Sequence, residues 1–148
     1  MQVKRPLKIY VDENMAPQLA RALNVIQEHL NNEEKKPIEV YSIKDAFNGR
    51  DGVEDEEWIP VVGEQAGIVI TQDRRIQHSR NQRELYMKHG CGIIFLKSPK
   101  GGMTFWQMFK HLVKWWDDIK KIARQNKPPF SFRQPGNHNS FVEWHGED

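Results

Sequence analysis

The stretch Gly67-Ile68-Val69-Ile70-Thr71-Gln72-Asp73-Arg74-Arg75 decides the architecture. A glycine stop precedes a short, unbroken apolar run of β-branched residues, and an acid follows at once. Apolar and polar residues do not alternate here, so both faces of the strand must be covered, as in a parallel sheet. Upstream, Leu7-Lys8-Ile9-Tyr10-Val11 reads as another strand and ends abruptly at Asp12-Glu13-Asn14; Ile38 to Ile43 and Gly92 to Leu96 read as two more.

Helical periodicity fills the gaps. Leu19, Ala22, Leu23, Ile26 and Leu30 recur at helical spacing between Met15 and Leu30, with Asn14 as cap and Pro17 in the first turn. An acid-rich helix runs from Glu54 to about Ala66, with Pro60 inside it and Gly67 as its stop. Ser79-Arg80-Asn81-Gln82 matches a capping box for a helix to His89, closed by Gly90. Thr104-Phe105-Trp106-Gln107 matches another, ahead of a long stripe through Phe105, Met108, Phe109, Leu112, Trp116, Ile119 and Ala123. Lys127-Pro128-Pro129 stops that helix, and Phe130-Ser131-Phe132 adds an edge strand. The order βαβαβαβα with a final strand predicts an α/β fold: a three-layer αβα sandwich with a mainly parallel central sheet. The domain is expected over residues 1–133, with a polar tail over 134–148 in which Phe141 and Trp144 dock on the domain or on a partner.

At 148 residues the chain can bury a core without disulfides or structural metal. Cys91 is the only cysteine, which excludes an intrachain disulfide and a cysteine-rich zinc site; at the head of an apolar strand it reads as a core thiol. Mean hydropathy is −0.76, no apolar run approaches membrane-spanning length, and no secretory signal is expected, so a reducing, cytoplasmic setting fits. A net charge of +2 is too small to announce a nucleic-acid binder.

In parallel sheets ligands bind beyond the carboxyl ends of the strands. Asp12 follows the first strand and Asp73 the third, while Asp55 and Glu56 open the helix between them. If the first and third strands are neighbours, these carboxylates meet at one sheet edge, where they repel unless a cation sits among them. Magnesium and manganese want such oxygen ligands. A metal so held activates water and neutralises a phosphodiester transition state, so hydrolysis needs no nucleophilic side chain.

The segments Lys8-Ile9-Tyr10-Val11-Asp12-Glu13-Asn14, Asp55-Glu56-Glu57-Trp58-Ile59-Pro60 and Val69-Ile70-Thr71-Gln72-Asp73-Arg74-Arg75-Ile76 together resemble the PIN-domain nucleases, and within them the compact VapC-like toxin group. Gln82-Arg83-Glu84 and Pro128-Pro129-Phe130 add to the likeness, which spans roughly Leu7 to Arg133. The resemblance implies a PIN-like fold and a Mg2+- or Mn2+-dependent endoribonuclease, commonly the toxin of a toxin–antitoxin pair, with RNA as substrate and an antitoxin protein as partner. Carried over residue by residue, Asp12 is the first acid, Asp55 or Glu56 the second and Asp73 the third. A fourth acid, common just past the third, is replaced here by Arg74-Arg75-Ile76-Gln77-His78, so one firmly held ion is expected rather than two. Glu84 is a distant further candidate, and Glu13 reads as a neighbour that tunes the field.

Arg74, Arg75, Arg80 and Arg83 form a basic rim beside these acids and are expected to hold RNA phosphates, Arg74 and Arg75 foremost. His78 is the only histidine near enough to Asp73 to watch. Lys110, Lys114, Lys120, Lys121 and Arg124 read as a solvated helix face. Trp115 lies off the stripe of Trp116 and reads as a contact for a homodimer or another partner. Two rival functions share the pattern. A receiver-like signalling domain would be phosphorylated on Asp45, and a catalytically inactive PIN-like module would only bind RNA or a partner.

Overall fold

Ile68, Val69 and Ile70 are fully buried, as continuous apolar character requires of a strand covered on both faces. The computed structural model describes residues 5–12, 14–50, 52–135 and 140–147. Its elements are β1 (Leu7–Val11), α1 (Pro17–Leu30), β2 (Ile38–Ser42), α2 (Ile43–Ala46), α3 (Asp55–Glu64), β3 (Ile68–Asp73), α4 (Ile76–Lys88), β4 (Gly92–Lys97), α5 (Phe105–Gln125), β5 (Phe130–Arg133) and β6 (Val142–Glu143). The sheet order is β2-β1-β3-β4-β5-β6, parallel throughout except for the β5–β6 pair.

Strand periodicity sorts the side chains into two cores. Ile9, Val11, Ile68, Ile70, Ile94 and Leu96 face α1 and α5. Tyr10, Val69, Ile93 and Phe95 face α3 and α4. This is the expected three-layer αβα sandwich. From β1 the chain moves outward to β2 and returns on the far side of β1 to form β3. The switch point of the sheet, where a crevice opens, therefore lies between the carboxyl ends of β1 and β3.

Several local expectations are corrected. α1 begins at Pro17 with Ala16 as its cap residue, so Asn14 does not cap it. α2 is an additional turn of helix, capped by the Ser42 hydroxyl accepting from the Asp45 amide at 2.8 Å. α4 begins at Ile76, three residues before the proposed box, and Ser79 is buried inside it. At the end of α3 the left-handed turn falls on Ala66 (φ 53°), not on Gly67. Gly67 is instead needed for close approach, because a Cβ there would lie 2.6 Å from Val62 Cγ1.

The Thr104 capping box is present with both of its reciprocal hydrogen bonds. On α5 Trp115 and Trp116 are both buried, whereas Trp106 is exposed. Consecutive helical residues are about 100° apart, and a core stripe is wide enough to take both. Trp116 donates its indole N–H to Gln27 Oε1 at 2.9 Å, and Trp115 packs edge-on against Phe141, ring centroids 5.9 Å apart. Trp115 is thus a core residue within the chain, whereas Phe105, at the helix start, is 51% exposed. Strand β5 is not an edge, since β6 pairs with it on the outside. The described part of segment 134–148 lies on the domain, with Trp144 in the α3/α4 core. The thiol of Cys91 is buried, and burial pushes its pKa up to about 11, as a core thiol requires. Among the described residues no helix is long and apolar enough to cross a membrane.

Lys120 does not join the solvated face. It is 3% exposed and donates to Glu34 Oε2 at 2.5 Å, while Arg124 donates to Glu34 Oε1 at 2.7 Å and Gln27 to the same oxygen at 3.0 Å. Burial alone would raise the Glu34 pKa. The hydrogen bonds from Lys120, Arg124 and Gln27, with the charge of Lys120, overcome it and hold the pKa at about 2 against an ordinary 4.5. Removing this acceptor strands a buried ammonium, so Glu34→Ala should lose about 3 kcal/mol in chemical denaturation. Because the folded pKa is depressed, the pair stabilises fully above pH 4.5 and the benefit fades as pH falls towards 2. The stability gap between wild type and Glu34→Ala should close across that window.

Candidate active site

Alternation along β1 puts Asp12 on the same face as Tyr10, and along β3 it puts Thr71 and Asp73 on the same face as Val69. All of them point into the α3/α4 side of the crevice. Asp12 is 4% exposed; its amide donates to the Ile70 carbonyl at 3.0 Å, and its Oδ2 accepts from the Thr71 hydroxyl at 2.6 Å. A carboxylate is thereby held in a fixed orientation across the switch point.

Asp55, in the first turn of α3, lies within the field of that carboxylate. Burial raises the Asp55 pKa, the charge of Asp12 raises it further and that of Glu56 adds to both; Trp58 and His78 act in the opposite sense. Of the two alternatives for the middle acid, Asp55 therefore communicates with Asp12, while Glu56 is exposed on the outer side of the helix. Beneath them lies Tyr86, fully buried against Trp58 with ring centroids 5.6 Å apart. Burial first, and then the charges of Asp12 and Asp55, push its pKa well above the ordinary 10. Its hydroxyl has no hydrogen-bond partner among the described residues, and neither has the Gln82 side-chain oxygen one turn along α4. Orphaned polar groups of this kind are rare in protein interiors.

Asp73 has other partners. Ser79 donates to its Oδ1 at 2.5 Å, and the Arg133 guanidinium forms an ion pair with its Oδ2. Among the described residues no cluster of three or more His, Cys, Asp or Glu side chains could hold a metal ion. Two oxygen-donor side chains, Asp12 and Asp55, are close enough for the charge of one to act on the other. Magnesium is commonly held by one or two carboxylates and keeps several waters, so this donor set fits a hard divalent cation.

The expected phosphate contacts divide into two groups. Arg74 and Arg75 are exposed and line a cavity of about 370 Å³ with Gln77, His78 and Asn81. Arg74 also borders a cleft of about 670 Å³ that includes Asn14, Gln72 and Lys100. Arg80 is half-buried on α4. Arg83 turns the other way and donates its Nε–H to the Trp144 carbonyl at 3.0 Å. His78, watched for its nearness to Asp73, acts on Asp55. Glu84 is exposed on α4, and Glu13 lies outside the described residues. Asp45 sits in α2, where Arg21 grips both its oxygens at 2.8 and 2.7 Å; the hydrogen bond from Arg21 lowers its pKa and occupies the group a receiver would phosphorylate. Reasoning from sequence missed Tyr86, Ser79 and Arg133. Ser79 read only as a helix cap, Arg133 only as the end of a strand, and Tyr86 gave no signal beyond its place on a helix.

Fold and site define a doubly wound α/β domain with an acidic centre at its switch point. A family model described as a PIN-like domain matches residues 7–98, and the chain belongs to that family. The fold is accordingly of the nuclease type, and PIN domains are generally nucleases that use divalent metals. No curated protein and no solved structure matches the chain significantly.

Coupling between the two acids is directly measurable. Replacing Asp12 with Asn removes a like charge, so the Asp55 carboxyl should titrate at lower pH in a carbon-detected NMR titration than it does in wild type. An unchanged midpoint would show that the two carboxylates do not share a site.

Proposed function

We propose that the protein is a Mg2+- or Mn2+-dependent ribonuclease of PIN type, with Asp12 and Asp55 holding the ion. The observation that carries this reading is the electrostatic coupling of these two carboxylates at the switch point of a PIN-like sheet. When bound, the ion supplies positive charge to the phosphodiester and an acidified water. The chain's own residues do the rest. Thr71 fixes the orientation of Asp12 through its hydroxyl. Exposed Arg74 and Arg75 present guanidinium forks to the phosphates, and Arg74 borders two cavities in which a single strand could lie.

Likeness of the three motif segments to VapC-like toxins extends the proposal to the toxin of a toxin–antitoxin pair, acting on cytoplasmic RNA and restrained by an antitoxin protein. A second reading, a PIN-like module that binds without cleaving, is favoured by one observation: Asp73 is committed to Arg133, leaving two acids where three were expected.

Cleavage of structured RNA with and without Mn2+ separates them. Wild type should cleave only with the metal, and Asp12→Asn and Asp55→Asn should each lose at least about 100-fold in rate, the scale of removing one electrostatic contributor from a reaction centre. Equal rates for all three proteins would reject the nuclease. Metal-dependent thermal stabilisation that vanishes in Asp12→Asn, without cleavage by wild type, would leave the binding module. Induced wild type should arrest bacterial growth, while Asp12→Asn should not. Arg74→Ala should weaken RNA binding uniformly across sequences and flatten the salt dependence by about one unit of slope.

A further inference from the structure

Both oxygens of Asp73 are taken by protein donors, and one of these donors is a cation. Ser79 binds Oδ1 and Arg133 binds Oδ2. Arg133 comes from the end of β5, and β4 lies between it and β3. Its side chain must cross roughly 10 Å, two strand spacings, to reach Asp73. Side chains of that length reach a particular partner only when something holds them.

The C-terminal segment provides that hold. The Trp144 ring lies under the guanidinium, 4.5 Å from carbon to ring centroid, a cation–π contact. Trp144 is itself fixed on every side. Its amide donates to the Ser131 carbonyl at 2.9 Å, its indole N–H to the Glu147 carbonyl at 2.6 Å, and its carbonyl accepts from Arg83 at 3.0 Å. Phe95 meets its ring edge-on at 5.2 Å between centroids. With side-chain exposures of 18% for Arg133 and 8% for Asp73, the pair is largely withdrawn from water. A divalent ion at Asp73 would have to displace a guanidinium that is both desolvated and stacked.

We propose that Arg133 fills the cation place beside Asp73 as a permanent part of the protein, so that the acidic centre takes a single divalent ion at Asp12 and Asp55. This rests on the nuclease reading, from which it takes the ion at those two residues. It adds that the second positive charge of the site comes from a side chain and does not depend on the metal supply. Trp144, Arg83 and Phe95 are then positioning residues for Arg133. The segment beyond β5 completes the site although it contributes no acid to it.

Mn2+ binding by calorimetry, with the stoichiometry checked by electron paramagnetic resonance, tests this without reference to activity. Wild type should bind one Mn2+, and Asp12→Asn should lose it. Asp73→Asn should still bind one. Arg133→Met, which keeps the length of the chain and removes its charge, should bind two, and Arg133→Met combined with Asp73→Asn should return to one. Arg133→Lys should stay at one. If Arg133→Met does not fold, Asp73→Asn alone decides, because loss of its Mn2+ would make Asp73 a ligand of the first ion. That loss, two ions on wild type, or a single unchanged ion on folded Arg133→Met would each overturn the proposal while leaving the nuclease reading intact. Wild type that binds no Mn2+ would reject the metal site of that reading and this inference with it.

Discussion

The hydrogen bond from the Thr71 hydroxyl to Asp12 is the contact on which the site depends. A carboxylate with 4% exposure is costly unless donors compensate for lost water. Thr71 can supply one because β3 lies directly beside β1 in parallel register, with Val11 opposite Ile70, and because alternation turns Thr71 towards the same helical layer as Asp12. A slip of one residue in that register would send Asp12 or Thr71 into the apolar α1/α5 layer. Strand pairing and acid placement are therefore one constraint. The continuous apolar character of Ile68–Ile70, which drives the pairing, is also what delivers the site.

Most of the architecture was legible because the parallel sheet writes it plainly. Short apolar runs closed by acids marked β1 and β3, and helical spacing with a Thr104 capping box marked α5. Local signals failed where two roles compete for one residue. Ser79 has the sequence context of a cap, yet its hydroxyl binds Asp73, and the helix starts three residues earlier without a side-chain cap. Asn14 and Pro17 suggested a cap and a first turn, and only the proline kept its part. Trp115 belongs to the core because the buried stripe of α5 is wide enough for two consecutive residues. The residues that met it, above all Phe141, are distant in sequence.

Within the site, the legible part was the set of acids at strand and helix ends, and the illegible part was their partners. Asp12 stood out from position alone, whereas position left Asp55 and Glu56 as alternatives for the middle acid. Nothing in the four residues of β5 says that Arg133 reaches back across β4, since that depends on Trp144 eleven residues later. Tyr86 resembles any core aromatic of an amphipathic helix. Only the absence of a partner for its hydroxyl, together with the fields of two carboxylates, separates it from one.

Acidic side chains at the two ends of the sheet show what this arrangement does with charge. Glu34 lies just before β2, at the amino ends of the strands, and takes hydrogen bonds from Lys120, Arg124 and Gln27 that hold its pKa at about 2. There the protein stabilises the ionised form as far as it can, and the group serves folding. At the carboxyl ends Asp55 has the opposite treatment, with burial and two like charges pushing its pKa up. One fold thus keeps the same functional group in its most and its least comfortable states. The paired acid needs nothing further, whereas the strained pair gains most from a cation, because whatever neutralises Asp12 and Asp55 also removes their mutual repulsion. Folding energy from the saturated end and the apolar layers sustains that strain at the other, so a cation has more repulsion to relieve at the switch point than at the saturated ion cluster on Glu34.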